Sequence, residues 1–328
     1  MARRQAVGSS RLRIVFLGTA QFAVPTLKAF AQGPDEIVAV MTRPDRPAGR
    51  GRSLRAPPIK SVAQELGLPV FQPERVSAGE GLELLREMDP DVLFVAAFGE
   101  VLGEVALARP RIGPINLHAS LLPSYRGAAP IQRAILAGER ETGVTVQWMA
   151  PALDAGELIL QRSLEIGREE DFGSLHDRLA ALGAEVSVES LALLRTGKAP
   201  RTSQSAEDAT YAPPIRREEL VIQWFRPAGQ IARTVRAFSP RPGARTTREG
   251  KLLKVLVARE SPSRRTGSAV GEEGAPGRIV EFTKEGFWVA AGNGRILALR
   301  VQPEGRAAMS AADYLKGYRL SVGEQLGL

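Results

Sequence analysis

"RIVFLGTAQFAVPTLKAFAQGPDEIVAVMT", residues 13–42, is the stretch that decides the fold class. Two short runs of branched apolar residues, 13–19 and 36–42, enclose a segment whose apolar residues recur at helical spacing and which ends at Gly33. That order is typical of a βαβ unit. Nearly all-apolar runs at 91–99 and 114–120 extend the pattern, and such runs are typical of parallel sheets covered by helices. We therefore expect an α/β fold with a Rossmann-like parallel sheet.

The second half of the chain has a different texture. A β-hairpin is predicted over residues 143–166, and an amphipathic helix over 174–197 follows it. A polar, proline-containing stretch then precedes one more helix and four short strand-like runs. Short strands separated by glycine-rich turns predict a small OB-like β-barrel. The predicted boundaries are a first domain at 11–195, a linker at 196–219 and a second domain at 220–328.

Composition excludes several classes of protein and site. The chain has 328 residues, no cysteine and two histidines. This rules out disulfides, a thiolate nucleophile and Cys-based zinc sites, so we expect no metal. No P-loop, Gly-x-Ser-x-Gly elbow or dinucleotide-binding glycine fingerprint occurs. The apolar run near the N-terminus is too short for a signal peptide or a membrane span, which predicts a cytoplasmic protein with no membrane partner.

The net charge of +8 is unevenly distributed. Residues 1–60 hold 11 Lys and Arg against 3 Asp and Glu, and residues 220–328 hold 18 against 9. The middle, 61–219, is acidic, with 15 against 24. Two interpretations stay open at this point: a merely solvated basic surface, or contact with a polyanion such as nucleic acid at both ends of the chain.

Three polar residues near the middle of the chain form a candidate active site. Asn116 and His118 are two apart in a predicted strand, so their side chains point to the same side near its carboxyl end. Asp154, in the predicted hairpin loop, is able to fold over the same edge. An amide donor, an imidazole base and an orienting carboxylate fit acyl transfer to an amine. The alternative is a buried structural histidine, the interpretation we favour for His176.

The same stretch carries a family resemblance. "NLHASLLP" and "LDAG" resemble the signature of the 10-formyltetrahydrofolate-dependent formyltransferases. The resemblance implies Asn116, His118 and Asp154 as the catalytic trio, 10-formyltetrahydrofolate as the formyl donor, and no metal. It also implies that a turn contacts the folate, formed by Ser120, Leu121, Leu122 and Pro123.

A basic loop indicates which molecule accepts the formyl group. Residues 43–60, "RPDRPAGRGRSLRAPPIK", resemble the inserted loop of methionyl-tRNA formyltransferases, and the likeness extends over nearly the whole chain after residue 11. It implies initiator methionyl-tRNA as partner and tRNA contacts by the loop. From its positive charge and barrel fold we expect the OB-like second domain to contact the tRNA as well, and we expect a monomer. Because of its prolines and glycines we expect no regular element in the loop. The expected tRNA-binding residues are Arg43, Arg46, Arg50, Arg52 and Arg55.

Two other functions remain as alternatives, and the family pattern is not matched everywhere. A formyltransferase for a nucleotide-linked amino sugar would have little use for the basic loop. A non-catalytic RNA-binding protein would have no need of an intact trio. The departures from the usual family residues are Ala20, Gln21, Phe98, Pro214, Gln223, Arg241 and Ala307.

Overall fold

The computed structural model describes residues 11–48, 53–261 and 274–327, which divide into two compact units. The first unit contains the chain up to Pro130 together with residues 141–165 and 176–212. Residues 131–140, 166–175 and 213–328 form the second unit. The stretch 196–212, which the sequence assigns to a linker, thus lies within the first unit.

The first unit is built on a seven-stranded, mostly parallel sheet in the order β5-β2-β1-β6-β7-β8-β9. Its first five strands in that order are parallel, and β8 and β9 form the predicted antiparallel hairpin. The strands of this unit are β1 (Arg13–Gly18), β2 (Glu36–Met41), β3 (Arg46–Ala48), β4 (Ser53–Arg55), β5 (Val70–Phe71), β6 (Val92–Ala96), β7 (Gly113–His118), β8 (Glu141–Trp148) and β9 (Leu158–Glu165).

Helices connect the parallel strands, and they confirm the βαβ opening. The helices between the parallel strands are α1 (Val24–Ala31), α2 (Pro58–Glu65), α3 (Glu80–Met88) and α4 (Glu104–Leu107). The helices that follow in the chain are α5 (Pro130–Ala137), α6 (Phe172–Arg195), α7 (Ala228–Phe238) and α8 (Ala311–Gly317). Helix α6 confirms the long helix that the sequence predicts, and α3, α4 and α5 were not predicted. Within the described residues, no helix combines the length and apolarity needed to cross a membrane.

Buried apolar side chains cover both faces of the central strands. Phe16 and Phe94 stack with ring centroids 5.3 Å apart, and Phe30 meets the Phe94 ring edge-on at 4.7 Å. Their sequence neighbours Val15 and Leu93 point to the opposite face and join a second buried cluster. Because both faces are apolar, polar side chains with chemistry to perform are confined to the strand ends, where ligands of open α/β sheets bind.

The basic loop contains regular structure, so that part of the sequence prediction is wrong. Residues 46–48 pair with 53–55 as a short antiparallel ribbon, β3–β4, and Pro47 stands opposite Leu54. A proline is tolerated there because only alternate positions of an antiparallel pair need to donate across it. Asp45 anchors the base of the ribbon, since hydrogen bonds from Lys60 (2.7 Å) and Gln72 (2.8 Å) lower its pKa.

The second unit contains an antiparallel sheet in the order β10-β11-β14-β13-β12, with β15 paired to β14. Four of these strands match the predicted runs, and two were missed. One of them, β10, is polar in sequence, yet it buries Thr246, which accepts a hydrogen bond from the Trp224 indole at 3.0 Å. The strands are β10 (Ala244–Arg248), β11 (Lys251–Ser261), β12 (Ile279–Phe282), β13 (Phe287–Ala290), β14 (Arg295–Pro303) and β15 (Met309–Ser310).

Arg133 of α5 holds the first residues of the second unit's main segment. Its guanidinium donates to both carboxylate oxygens of Glu219, at 2.5 and 3.0 Å, and to the carbonyls of Pro213 and Pro214. These hydrogen bonds lower the pKa of Glu219. Bidentate, partly buried pairs of this kind contribute more than exposed ones, because both partners are held in place.

We expect Arg133→Met to lower the free energy of unfolding by about 1–3 kcal/mol at neutral pH, because the two carbonyls lose their guanidinium donor and the carboxylate keeps only the Arg216 amide. Since the pKa of Glu219 is lowered in the folded state, the contribution is complete above about pH 5 and shrinks below about pH 4. Denaturant titrations at several pH values measure both effects. Lys316→Met, which breaks an exposed pair with Asp313, is the control and should cost under about 0.5 kcal/mol.

Candidate active site at the carboxyl end of β7

Strand β7 carries two of the three candidate catalytic residues at its carboxyl end. It lies between parallel β6 and antiparallel β8 and ends at His118. Asn116 pairs with Gln147 and His118 with Thr145, so the polar side chains of two neighbouring strands meet at this edge. The sequence prediction that Asn116 and His118 share one side of a strand end agrees with this register.

The imidazole of His118 is held from one side by a backbone carbonyl. Its Nε2 lies 2.9 Å from the carbonyl oxygen of Tyr125. A carbonyl only accepts hydrogen bonds, so Nε2 carries the proton of the neutral ring and Nδ1 carries the lone pair. Nδ1 lies 3.7 Å from Oδ2 of Asp154. That separation exceeds a hydrogen bond, so the carboxylate acts on this nitrogen as a nearby negative charge.

Asp154 stands in the loop between β8 and β9 with its carboxylate held on both oxygens. Oδ2 accepts from the Gly127 amide at 2.9 Å, and Oδ1 accepts from the Gln147 side chain at 3.1 Å. The backbone of Asp154 is left-handed, with φ of 50°. The side chains of Asp154 and His118 are 12% and 8% exposed, so water screens their interaction only weakly.

Asn116 offers an amide group beside this pair. It is half-buried on β7, and within residues 11–48, 53–261 and 274–327 its side chain has no hydrogen-bond partner. An amide N–H held on a strand is suited to receive negative charge that develops on a reacting carbonyl oxygen. The end of β7 thus carries an amide group and a ring nitrogen with a lone pair, and the β8–β9 loop places a carboxylate 3.7 Å from that nitrogen.

The turn of residues 120–123 follows directly and is fixed from behind. Thr145, fully buried on β8, donates to the Ser120 carbonyl at 2.6 Å and accepts from the Leu122 amide at 3.1 Å. Gln161 of β9 donates to the Leu122 carbonyl at 2.6 Å. The Ser120 hydroxyl donates to the Ser124 carbonyl. With Ser120 and Leu122 buried and their backbone groups paired, Leu121 and Pro123 are the half-exposed side chains of the turn.

Sequence reasoning missed the supporting residues Thr145, Gln147, Gln161 and Gln204. Thr145 and Gln147 carry a signal in hindsight, because polar side chains at alternate positions of an otherwise apolar strand need partners when buried. Gln204 lies in a polar stretch that resembles a linker, and nothing in the sequence pattern distinguishes it.

The expected tRNA-binding arginines occupy different environments. Arg43 donates to the Glu100 carboxylate at 3.0 Å and to the Glu74 carbonyl at 3.1 Å. Arg46 and Arg55 are opposite each other on the β3–β4 ribbon and exposed, and neither has a carboxylate partner within the part of the chain that the structure describes. The last two expected residues, Arg50 and Arg52, lie outside the described residues.

The second histidine lies outside this arrangement. His176 of α6 contacts the Asp177 carboxylate at 2.8 Å, and its ring packs edge-on against Phe22. Across the described ranges, no group of three or more His, Asp or Glu side chains is arranged to hold a metal ion.

Two models of known protein families match the chain. Residues 12–191 match the formyl transferase family model, and residues 214–319 match the model of the formyl transferase C-terminal domain. The chain belongs to the formyl transferase family.

Curated relatives of the chain match it over nearly its whole length. It is 50% identical over 316 residues to the methionyl-tRNA formyltransferase of Moorella thermoacetica, covering 96% of this chain and 99% of the relative. It is 43% identical to that of Geobacter sulfurreducens, covering 96% and 97%. The two family models and these relatives confirm the family resemblance seen in the sequence.

Solved structures of low sequence identity share the fold. HypX from Aquifex aeolicus in complex with tetrahydrofolic acid has a TM-score of 0.63 at 17% identity, covering 96% of this chain and 49% of that one. An N-formyltransferase from Helicobacter canadensis, in complex with folinic acid and dTDP-3-aminofucose, also has a TM-score of 0.63, at 16% identity, covering 88% and 99%. At these identities the likeness shows the fold alone.

We expect His118→Ala and Asn116→Ala each to lower the single-turnover rate of formyl transfer by about 100-fold or more, because one removes the base and the other the donor to the developing charge. Asp154→Asn should lower it strongly as well, since the protonated ring loses its negative neighbour. Rapid-quench measurements of one turnover give these rates. His176→Asn is the matched histidine control, and a wild-type rate in His118→Ala would contradict the assignment.

Proposed function

We propose that the protein transfers the formyl group of 10-formyltetrahydrofolate to the α-amino group of methionine carried by initiator tRNA. The observation that carries the proposal is the meeting of Asn116, His118 and Asp154 at the end of β7. The chain that carries these three residues matches methionyl-tRNA formyltransferases over nearly its full length. No residue of the trio has to form a covalent intermediate for this reaction.

The trio suggests a simple division of labour. The methionyl ammonium must lose a proton before its nitrogen can attack the formyl carbon, and the lone pair on His118 Nδ1 accepts that proton. As the C–N bond forms, negative charge develops on the formyl oxygen, and the Asn116 amide donates to it. Asp154 stabilises the positive charge on the ring. When the bond to the folate nitrogen breaks, the ring returns its proton to that leaving nitrogen, the carbonyl re-forms, and the second proton of the attacking nitrogen is released to solvent.

The turn of residues 120–123 fits the role of a folate contact. Its backbone groups are paired inward by Thr145 and Gln161, so the turn is rigid. Leu121 and Pro123 give it an apolar edge, and apolar edges are suited to flat ring systems. Position 143 must be glycine for Leu121 to pack in this way, because an added Cβ would lie 2.5 Å from the leucine side chain.

For the tRNA we propose the β3–β4 ribbon as one contact. Arg46 and Arg55 present two exposed charges on a ribbon whose base is held by Asp45, Lys60 and Gln72. Arg43, three residues before the ribbon, has its guanidinium engaged with Glu100 and the Glu74 carbonyl. We therefore assign phosphate contacts to Arg46, Arg55 and, on the sequence alone, Arg50 and Arg52, and a supporting role to Arg43.

A second tRNA contact is proposed on the sheet of the second unit. Arg245 and Lys254 are direct cross-strand partners, and the Arg245 Nε is buried without a partner in the described part of the chain. Burial lowers the pKa of Lys254, and the nearby charges of Arg245 and Arg241 act in the same direction. Cations crowded in this way without a carboxylate favour a bound phosphate.

Three further properties belong to the same proposal. We infer that the six-stranded sheet of the second unit curves into an OB-like barrel, because β11 shifts register twice between Val255 and Ala258 and such bulges bend a strand. We infer a monomer of 35.3 kDa, which light scattering tests. A cytoplasmic location follows from the proposed substrates, since charged initiator tRNA is used there.

A formyl-transfer assay with three acceptors tests the function. We expect 10-formyltetrahydrofolate to formylate methionyl initiator tRNA, and to leave dTDP-linked amino sugars and glycinamide ribonucleotide unmodified. Mass spectrometry of the released amino acid detects the product. Formylation of an amino sugar at a comparable rate would overturn the proposal in favour of a sugar formyltransferase.

Arg46→Ala should raise the KM for charged tRNA by about 10-fold while folate affinity stays unchanged, because one lost phosphate or base contact costs roughly 1–3 kcal/mol. Steady-state kinetics and folate titration measure the two quantities. Arg86→Ala, which removes an exposed arginine on α3, is the matched control. A parallel loss of folate affinity would show that the ribbon supports the catalytic site rather than the tRNA.

Arg245→Met and Lys254→Met should each reduce the slope of log affinity for tRNA against log salt by about one, because each removes one phosphate contact. Fluorescence titration over a range of salt concentrations gives the slopes. The paired, exposed Lys316 provides the control, Lys316→Met, with an unchanged slope. An unchanged slope in Arg245→Met and Lys254→Met would mean that this cluster is only a solvated surface.

A further inference from the structure

A segment that resembles a linker in sequence lies along the loop that contains Tyr125 and Arg126. Residues 202–212, here called the strap, belong to the first unit. Thr202 exchanges backbone hydrogen bonds with Leu158, and Arg126 exchanges them with Thr210 and Ala212 at 2.8 and 2.7 Å. The Thr210 hydroxyl accepts from the Tyr125 amide at 2.8 Å. The strap therefore holds the loop whose Tyr125 carbonyl accepts the hydrogen bond from His118.

One side chain of the strap, Gln204, enters the polar network behind Asp154. Its Nε2, which carries two N–H groups, lies 3.1 Å from the side-chain oxygen of Gln147 and 2.9 and 2.7 Å from the carbonyl oxygens of Asp154 and Gly156, so one N–H is shared between two acceptors. Its Oε1 accepts two hydrogen bonds from the Arg126 guanidinium, at 3.1 and 2.7 Å. Every polar atom of the Gln204 amide is thus used inside the first unit.

The Arg126 guanidinium determines which groups of this network donate and which accept. An arginine only donates, so it fixes which end of the Gln204 amide is oxygen. The Gln204 nitrogen then faces the Gln147 oxygen, which leaves the Gln147 nitrogen to donate to Asp154 Oδ1. The hydrogen bonds therefore run in one direction: Arg126 donates to Gln204, Gln204 donates to Gln147, and Gln147 donates to the Asp154 carboxylate. Each bond in such a chain polarises the next.

Arg126 has an unusual position for a cation. It is 7% exposed, and among the described residues no carboxylate lies within ion-pair distance of it. A buried charge without a direct counterion is costly unless dipoles are oriented toward it. The Gln204 and Gln147 amides supply oriented dipoles that end at the Asp154 carboxylate.

We propose that Gln204 is a positioning residue for the reaction: it orients the Gln147 amide, and through it holds the Asp154 carboxylate in place beside His118 Nδ1. The inference rests on the proposed formyl transfer, in which Asp154 stabilises the protonated ring. A second-layer residue of this kind acts on the catalytic step, because a small displacement of the carboxylate weakens its interaction with the ring while the folate turn is unaffected.

The folate turn offers a contrast within the same sheet. Gln161 supports that turn by its bond to the Leu122 carbonyl and has no bond to Asp154. We expect Gln161→Met to raise the KM for 10-formyltetrahydrofolate. Gln204→Met should instead lower kcat by about 10- to 100-fold and leave that KM within about twofold of wild type. A merely structural loss would change both quantities together.

The test is a double-mutant cycle measured by single-turnover formylation of charged initiator tRNA. If Gln204 acts through Gln147, the double variant Gln204→Met/Gln147→Met is about as slow as the slower single variant, because the second change removes a contact already lost. Gln64→Met, an exposed glutamine on α2, is the matched control and keeps wild-type kcat and KM. Folate titration on every variant reports an intact site.

The outcomes separate this inference from the proposed function. A wild-type enzyme that does not formylate the tRNA overturns the proposed function. With an active wild type, a Gln204→Met kcat within about twofold of wild type, or losses that multiply in the double variant, overturn the positioning role. If Gln204→Met does not bind folate, Gln204→Glu carries the test, since it keeps the acceptor for Arg126 and removes the amide donors. The same fall in kcat supports the role, and wild-type kcat overturns it.

Discussion

The hydrogen bond between His118 Nε2 and the Tyr125 carbonyl decides which side of the imidazole is able to act as a base. It commits the proton of the neutral ring to Nε2 and leaves the lone pair of Nδ1 toward Asp154, 3.7 Å away. Tyr125 itself takes a left-handed backbone conformation, with φ of 61°, and its amide is bonded to Thr210. The orientation of one ring thus depends on a loop and on the strap that holds it.

The sheet explains why these groups meet where they do. Its central strands are apolar on both faces, so β7 has room for polar side chains only where it ends. Because β8 runs antiparallel to β7, the β8–β9 loop begins beside Pro114, near the amino end of β7. The loop then folds back along β7 and brings Asp154 to within 3.7 Å of the His118 ring. The same two strands supply Thr145 and Gln161 to the turn beside it. One hairpin therefore positions both the carboxylate and the proposed folate contact.

Much of this was accessible from the sequence, because period and composition encode it directly. The βαβ opening, the hairpin, the long helix α6 and the placing of Asn116 and His118 on one strand end all follow from local spacing. The β3–β4 ribbon was missed because local proline and glycine content says little about pairing across a loop. Strand β10 was missed because Thr246 is buried by a partner, Trp224, 22 residues away in the chain.

The support for the site was the least predictable part. Gln204 is 50 residues from Asp154 in sequence and 78 from Arg126, and the pattern around it is that of a linker. Contacts over such separations depend on the tertiary arrangement, which single-chain periodicity does not contain. Phe98, a departure from the usual family residue, belongs to a buried apolar cluster of the first unit, and its sequence neighbours alone do not reveal that burial.

The most direct measurement is the tautomer of His118, observed by ¹⁵N NMR of protein labelled at histidine. With only two histidines in the chain, His118→Asn assigns the signals. We predict that at neutral to alkaline pH the neutral His118 ring shows a protonated Nε2 and an unprotonated Nδ1. A neutral ring with the proton on Nδ1 would contradict the account, because the lone pair would then face the Tyr125 carbonyl and the base would point away from Asp154.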